Sequence, residues 1–566
     1  MPTLQLINSR AAITPPPGSA NPAEDYDVYF MITGKQADGR PINLNPEVQI
    51  GVSYKLHDYI KGSTGGKITF DYLDSGRLYI GYGELPYKST VAPPYKNPAG
   101  HTDQPVPYWK RYYGVVEFAY VPGDTGLWID LTDVNLVALP ISLSGFTQYG
   151  QKFKLGYKIT AEELRKRIIP QIGLTDSCSD PYKPTDGVAS IIDCVSGFKK
   201  VVSPTAGNTG CWASFDQYIH DLKNDETQIA ILSDVTQAAY HVPFTGSFQN
   251  VTDGDDYLIT LHGAAKPTTF GAPDPGITYD LQIQLGQFTT SHIYACANGF
   301  IHFAKTENGK TTKATIPFNA PGASGFSSDD LIVSNSTVRN LLIGMNEGRF
   351  YPSPSTKVDP RNDNTNWGTK GYEAFQQINL NDPAKNRGNQ YAYLVYENAN
   401  AYGYPYADKY LSALAVANVN HPVVITACSE TAPCGYSKHP PMSRSPYTFN
   451  IGVGSGSLGE ISIQGAGAPF KSSGFEPAKD GAYSGGIIAP DGWSKMYFAG
   501  AGDDKYIYYK DPETGGNALH NVDSDGKPCL LGSGGKPATA IWFDKNLRFG
   551  GPLKWNDGAG PASDPT

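Results

Sequence analysis

Apolar and polar residues alternate with a period of two through much of the first 155 or so residues. DVYFMITGK (27–35), GRLYIGYGEL (76–85), VVEFAYV (115–121) and GLWIDLTDVNLVALPI (126–141) read as strands on that pattern. The strings ADG, DSG and PGDTG between them are turn sequences. Strands at this spacing predict a sandwich or a barrel. The loop from Lys88 to Tyr108 is rich in Pro and polar residues and is a candidate groove rim.

The period changes after Gly150. TAEELRKRIIP (160–170) predicts a helix with Thr160 and Glu163 as a capping box and Pro170 as a stop. SFDQYIHDLKND (214–225) predicts a second helix, with Ser214 as cap and Gln217 three residues on. A third is expected near NSTVRNLLIGMNEG (335–348), ended by Gly348. Strands are expected between them at 257–262, 278–286 and 292–304. From about residue 436, after the linker-like SKHPPMSRSP, the sequence returns to Gly-rich alternation and predicts a small all-β module. The reading is mainly β with a mixed α/β part, in three units: 1–155, 156–435 and 436–566. A length of 566 residues accommodates them, at roughly 100–200 residues per domain.

Composition narrows the function classes. The 62 Gly and 37 Tyr against 5 Met favour strands and turns over helices. A net charge of −9 argues against a nucleic-acid partner, which wants a basic face. No apolar run reaches the ~18 residues of a membrane span. The N-terminal stretch MPTLQLINSRAAITPPPGSANP shows neither the basic nor the apolar region of a secretory signal, which leaves the compartment open. Seven cysteines in so long a chain do not read as a disulfide framework. Cys428 and Cys434 are close enough for a local loop, and isolated thiols in a reducing compartment are the alternative.

Most catalytic motifs are missing from the sequence. The ten histidines form no HExxH and no close pair with Cys, so neither a metal site nor a cofactor is expected. GSTGGKI (62–68) has the wrong glycine spacing for a phosphate loop, with Ile68 where Ser or Thr is needed. No G-x-S-x-G occurs. Carboxylates are left as catalytic candidates. Glu117 sits in an apolar strand between Val116 and Phe118, and Asp130, Asp133 and Asn135 follow on the returning strand beside Trp128. Two carboxylates across a hairpin suit glycoside hydrolysis, in which one protonates the leaving oxygen and the other activates water or attacks the sugar. Trp128 is a candidate ring for stacking on a sugar. Ordinary solvent-facing acids on a half-buried strand are the other reading of the same residues.

DVYFMITG, GRLYIGYGEL and VEFAYVPGDTGLWIDLTDVNLVALPI follow one another as in the β-1,3-glucanases of glycoside hydrolase family 64. NQYAYLVYENANAYGYPYADKY (389–410) resembles that family's tyrosine-rich stretch. The resemblance spans roughly residues 1–428. It implies a thaumatin-like β-barrel or sandwich packed on a mixed α/β domain, with a wide groove between them. It implies an endo-acting, inverting β-1,3-glucanase, an extracellular setting and a β-1,3-glucan partner. Inversion needs carboxyl groups about 6.5–9.5 Å apart. Glu117 matches the family's general acid. The second carboxylate is expected at the Asp of a Val-Asp pair, which here is Val134-Asn135. Asn135 cannot deprotonate water, so Asp133 and Asp130 are the substitutes. A hairpin about Gly123–Gly126 puts Asp130 on the face of Glu117, whereas Asp133 shares strand parity with Asn135. Tyr404, Tyr406 and Asp408 are expected to line the groove, unless AYGYPYAD is a packed tyrosine cluster turning at Pro405. Three functions follow: a glucanase, a glucan-binding protein that has lost its base, and a structural or assembly protein that reuses the scaffold and self-associates through its C-terminal module.

Overall fold

The structure is a computed structural model. It describes residues 2–10, 27–35, 44, 48–85, 111–121, 126–146, 152–173, 176–179, 189–194, 197–206, 209–233, 240–267, 275–297, 299–318, 320–351, 375, 377–382, 385–405, 415–416, 419 and 422–436, and the strand backbone of short segments between 447 and 554.

The first part of the chain gives β1 (Thr3–Asn8), β2 (Val28–Lys35), β3 (Ser53–Lys55), α1 (Leu56–Lys61), β4 (Lys67–Thr69), β5 (Leu73–Tyr82), β6 (Tyr113–Val121), β7 (Gly126–Thr132), β8 (Leu136–Val137), β9 (Ile141–Phe146) and β10 (Lys152–Leu155). Next come α2 (Ala161–Ile168), α3 (Asp176–Ser179), β11 (Ile191–Asp193), β12 (Lys199–Val202), α4 (Asp216–Asn224), β13 (Gln228–Leu232), β14 (Tyr240–His241), β15 (Pro243–Phe248), β16 (Tyr257–Ala264), β17 (Lys266–Pro267) and β18 (Ile277–Gln284). They are followed by α5 (Thr290–Tyr294), β19 (Phe300–Glu307), β20 (Lys310–Pro317), α6 (Ser328–Asn346), α7 (Gln390–Asn398), β21 (Ala401–Tyr402), β22 (Ala415–Val416) and β23 (Val423–Ala427).

Three sheets dominate. One runs β21-β7-β6-β5-β2-β3, with β22 also on β7; a second runs β10-β9-β23-β1-β4. Alternation explains why the first two face each other. Phe30, Ile32, Leu78, Ile80, Val116, Phe118, Ile129 and Leu131 occupy every second position of their strands and are buried, as are Leu4, Leu6, Leu143 and Ile425 of the second sheet, in one shared core. Neither sheet closes into a barrel; the described strands form open sheets. The third sheet is an antiparallel meander, β13-β15-β16-β18-β19-β20, with α6 packed beside β13.

The second sheet is not local in sequence. β23 lies between β9 and β1, pairing parallel with β1 from Leu4↔Val423 to Asn8↔Ala427. β21 and β22 likewise return to β7. The boundary expected at 155/156 is therefore crossed by strands that complete the first unit from the far end of the second. Beyond residue 446 the described strand backbone forms antiparallel pairs among themselves, such as 482–488 with 496–501 and 496–501 with 504–510.

Several elements differ from expectation. The stretch 126–141 is not one strand: it breaks after Thr132, and the chain re-enters pairing only at Leu136. The expected strand 292–304 is half helix, because Thr289 caps α5 and Cys296 takes a positive φ of 45° before β19 begins at Phe300. A short apolar run does not discriminate helix from strand. α4 starts at Asp216, and Ser214, two residues ahead of it, accepts from the Asp216 N–H through Oγ at 3.0 Å without occupying the N-cap position. The third helix begins earlier than expected, at Ser328, where Ser327 and Asp330 form a reciprocal cap. α2 follows its expectation, with Thr160 accepting from the Glu163 N–H at 3.0 Å. Two disulfides are present, Cys178–Cys211 and Cys428–Cys434, where only the second was anticipated as a pair. Cys194 and Cys296 are buried thiols.

Candidate functional site

The outer face of the first sheet carries the polar residues that its core face excludes. On β6, Val116 and Phe118 point into the core, so Glu117 between them points out. On β5, Leu78 and Ile80 are buried, which turns Arg77 and Tyr79 to the same side as Glu117. Arg77 stands opposite Glu117 in register, and its Nε donates to Glu117 Oε1 at 2.8 Å. The pair is accessible: the two side chains are 42% and 26% exposed. Tyr79 adds hydrogen bonds to Arg77 and to Thr33 on β2, and burial raises its phenol well above the ordinary value despite them. Gly76 makes the approach of these strands possible. A Cβ there would stand 2.4 Å from Leu73 Cδ2 and 2.9 Å from the Phe118 carbonyl oxygen.

The four-residue connection between β6 and β7 sets what faces Glu117 from the other side. Val121 pairs with Gly126, and so Glu117 pairs with Asp130 and Ala119 with Trp128. Directly opposed residues share a face, with Cβ atoms ~4.5–5.5 Å apart. The face thus carries Thr33, Arg77, Glu117 and Asp130 across four adjacent strands. Asp130 is 0% exposed and Trp128 is partly buried against the edge of the core.

Asp133 lies elsewhere. The strand has ended at Thr132, and the Asp133 N–H donates to the Tyr402 carbonyl at 2.8 Å. Its carboxylate, wholly buried, accepts the Tyr157 hydroxyl at 2.9 and 3.0 Å, and the Tyr391 hydroxyl donates to its carbonyl oxygen. Burial pushes its carboxyl up to about 7, against the opposing pull of the Tyr157 hydrogen bond. The parity that put Asp133 with Asn135 does not hold, because both residues follow the last strand position. Asn135 is half-buried just before β8, and its carbonyl accepts from the Ser203 N–H at 2.9 Å.

Tyr404 does not line a groove: it is 0% exposed. Its hydroxyl donates to Glu347 Oε1 at 3.0 Å, while Arg349 Nε donates to Oε2 at 3.1 Å. Its ring meets Phe375 and Tyr396 edge-on. This is the packed tyrosine cluster that was the alternative reading of AYGYPYAD. Glu347, buried there, has its carboxyl pushed up to about 7. Tyr406, Asp408 and the candidate rim from Lys88 to Tyr108 lie outside the described residues. Arg77, Tyr79 and Thr33 are the residues that sequence reasoning did not assign. The available signal was the alternation of GRLYIGY, which turns Arg77 away from Leu78 and Ile80. Among the described residues no group of three or more His, Cys, Asp or Glu side chains is placed to hold a metal.

No protein-family model matches the sequence, and none of the curated proteins does. Solved structures do. A laminaripentaose-producing β-1,3-glucanase in complex with laminaritetraose is similar at a TM-score of 0.42 and 16% identity, over 76% of this chain and 98% of that one. A β-1,3-glucanase domain of family 64 from Clostridium beijerinckii is similar at a TM-score of 0.33 and 14% identity, over 75% and 97%. A family 64 laminaripentaose-producing β-1,3-glucanase from Paenibacillus barengoltzii is similar at 0.23 and 15%, over 36% and 48%.

Proposed function

We propose that this chain is a β-1,3-glucan-binding protein on a glucanase-type scaffold, with the Arg77–Glu117 pair as the polar centre of its binding face. The order of sequence motifs that resemble family 64 supplies the ligand. The geometry supplies the preference for binding over turnover. An inverting hydrolase needs a second carboxylate that a water can reach. Asn135, where the resemblance expects that carboxylate, is an amide. Asp130 and Asp133 are 0% and 5% exposed, so neither meets water in the ligand-free protein. Glu117 offers one oxygen to Arg77 and retains the other for a sugar hydroxyl. The observation that carries the reading is that Asp130, directly across from the accessible Glu117, is buried, as is the more distant Asp133.

A second reading, hydrolysis, is favoured by the register that sets Asp130 directly across from Glu117. In it Glu117 donates the proton to the leaving oxygen and Asp130 takes one from water. The experiment is to incubate the protein with laminarin and to follow retention and new reducing ends together. Retention without reducing ends is expected. Reducing ends that vanish in Glu117→Gln and Asp130→Asn, a loss typically of 10²–10⁴-fold, establish hydrolysis instead. Lack of retention on laminarin sinks both.

A further inference from the structure

The six-stranded meander presents an outer face that the site above does not use. Its inner positions, Leu261, Leu281, Phe303 and Ile316 among them, are buried. Strand alternation turns the residues between them outward. Pairing from strand to strand lines up Gln228, Ser247, Thr260, Gln282, His302 and Thr315 in one row across all six strands. At ~4.8 Å between strands the row is ~24 Å long. It holds amides, hydroxyls and an imidazole, and no Asp, Glu, Lys or Arg. In the next row His262 contacts Asp280 at 2.8 Å, and Lys313 stands at the far edge.

Two exposed rings flank this row, one at the start of β16 and one at the start of β19. Tyr257 and Phe300 are 36% and 48% exposed, both among the exposed large apolar side chains of the described residues. Tyr257 meets His302 edge-on at 5.1 Å between ring centres. Phe300 lies two residues before His302 on the same strand and so on the same face. Rings that stay partly wet beside a row of uncharged donors and acceptors match a ligand with alternating apolar C–H faces and hydroxyls. A nucleic acid would require a row of cations, and a protein partner a larger continuous apolar patch. The absence of charge along the row matches an uncharged polymer.

We infer that the outer face of the β13–β20 meander is a second docking surface for a neutral polysaccharide, with Tyr257 and Phe300 as its stacking groups. The choice of β-1,3-glucan as first probe rests on the function proposed above; the surface itself does not.

Native affinity electrophoresis of the full chain through gels holding laminarin, soluble cellulose derivative or mannan tests both ideas separately. The wild type is retarded by laminarin. Tyr257→Ala with Phe300→Ala weakens that retardation about tenfold, the effect of losing two weak aromatic contacts. Gln282→Glu, which places a charge mid-row and removes no ring, weakens it in the same direction. Tyr257 and Phe300 are exposed and Gln282 is partly so, and thermal melts at the wild-type value confirm that each variant is folded. Retardation by cellulose or mannan alone, lost in the same variants, upholds the surface and overturns the β-1,3-glucan reading. Variants that migrate like wild type in every gel, or a wild type that no polysaccharide retards, overturn the surface.

Discussion

Two carboxylates are held in surroundings that resist their charge. Asp133 and Glu347 titrate in the folded chain at about 7, because burial outweighs their hydrogen bonds. In an unfolded chain such groups release their protons near ~4. Between those values the folded state binds more protons, so stability from these groups is full below about pH 4 and is lost as pH rises through 7. Melting temperature should therefore fall from pH 5 to pH 8, and Asp133→Asn, which cannot ionise, should fall less. A variant whose melts track the wild type at every pH would remove Asp133 from this account. Arg77 behaves oppositely. Its bridge to Glu117 is half-exposed, so Arg77→Ala should cost under ~1 kcal/mol in a melt. Laminarin retention should still drop, since the guanidinium fixes Glu117; unchanged retention would detach the pair from binding. Asn135→Asp restores the carboxylate that the family resemblance expects. A gain of reducing ends from laminarin would identify a lost base, and an inert variant would show that the burial of the neighbouring acids matters more. At this scale the sequence was informative where chemistry is local. Strand alternation placed Glu117, and a hairpin about Gly123–Gly126 allowed Asp130 opposite it, although the sequence reading leaned to Asp133 on its parity with Asn135. Of the two readings of AYGYPYAD the packed cluster fits Tyr404, but its partner Glu347 is 57 residues away, and no local pattern announces that contact.

Elements were legible in proportion to how much of their stability is local. α2 has its cap, its stop and its apolar face within eleven residues, and it forms where expected. The stretch 126–141 reads as continuous, yet the strand ends at Thr132, and the hydroxyls of Tyr157 and Tyr391 hold the carboxylate and carbonyl of Asp133. The junction that seats Tyr157 is tight. Tyr157 exchanges two backbone hydrogen bonds with Cys434, at 2.6 and 3.0 Å, and a Cβ on Gly156 would stand 1.8 Å from the Cys434 carbonyl oxygen. Neither backbone can yield alone. Gly156→Ala should cost about 3 kcal/mol or more by overpacking, read as a lowered denaturant midpoint. A midpoint within error of wild type would mean that the 428–434 loop is free to move aside.

Across the molecule, the two ends of the described fold are joined by charge. Glu430 accepts from Arg10 at 3.1 Å and from Arg165 at 2.9 Å, with all three side chains nearly buried. Breaking such a group leaves a buried charge without its counterion, so Glu430→Ala should destabilise by ~3–5 kcal/mol. A loss below ~1 kcal/mol in chemical denaturation would show that water replaces the carboxylate. The unit boundary expected at 435/436 follows just after this group in the sequence. A chain stopped there keeps β23, the 428–434 disulfide loop and Glu430, and should melt cooperatively, whereas one stopped before Val423 should not. In the sequence, the Pro-rich SKHPPMSRSP is what suggests that boundary. Nothing in the sequence marked the pairing of β23 with β1, because parallel partners far apart in a chain share no local signature. That pairing has a consequence in time. β1 leaves the ribosome ahead of its partner, which follows about 420 residues later, some 20–80 s at ~5–20 residues per second. Throughout that interval the edge of β1 that β23 will occupy remains open to other strands. Successful production of this protein should accordingly depend on whatever shields a nascent chain, and refolding from denaturant should be slower and more concentration-sensitive than the stability of the finished sheet suggests.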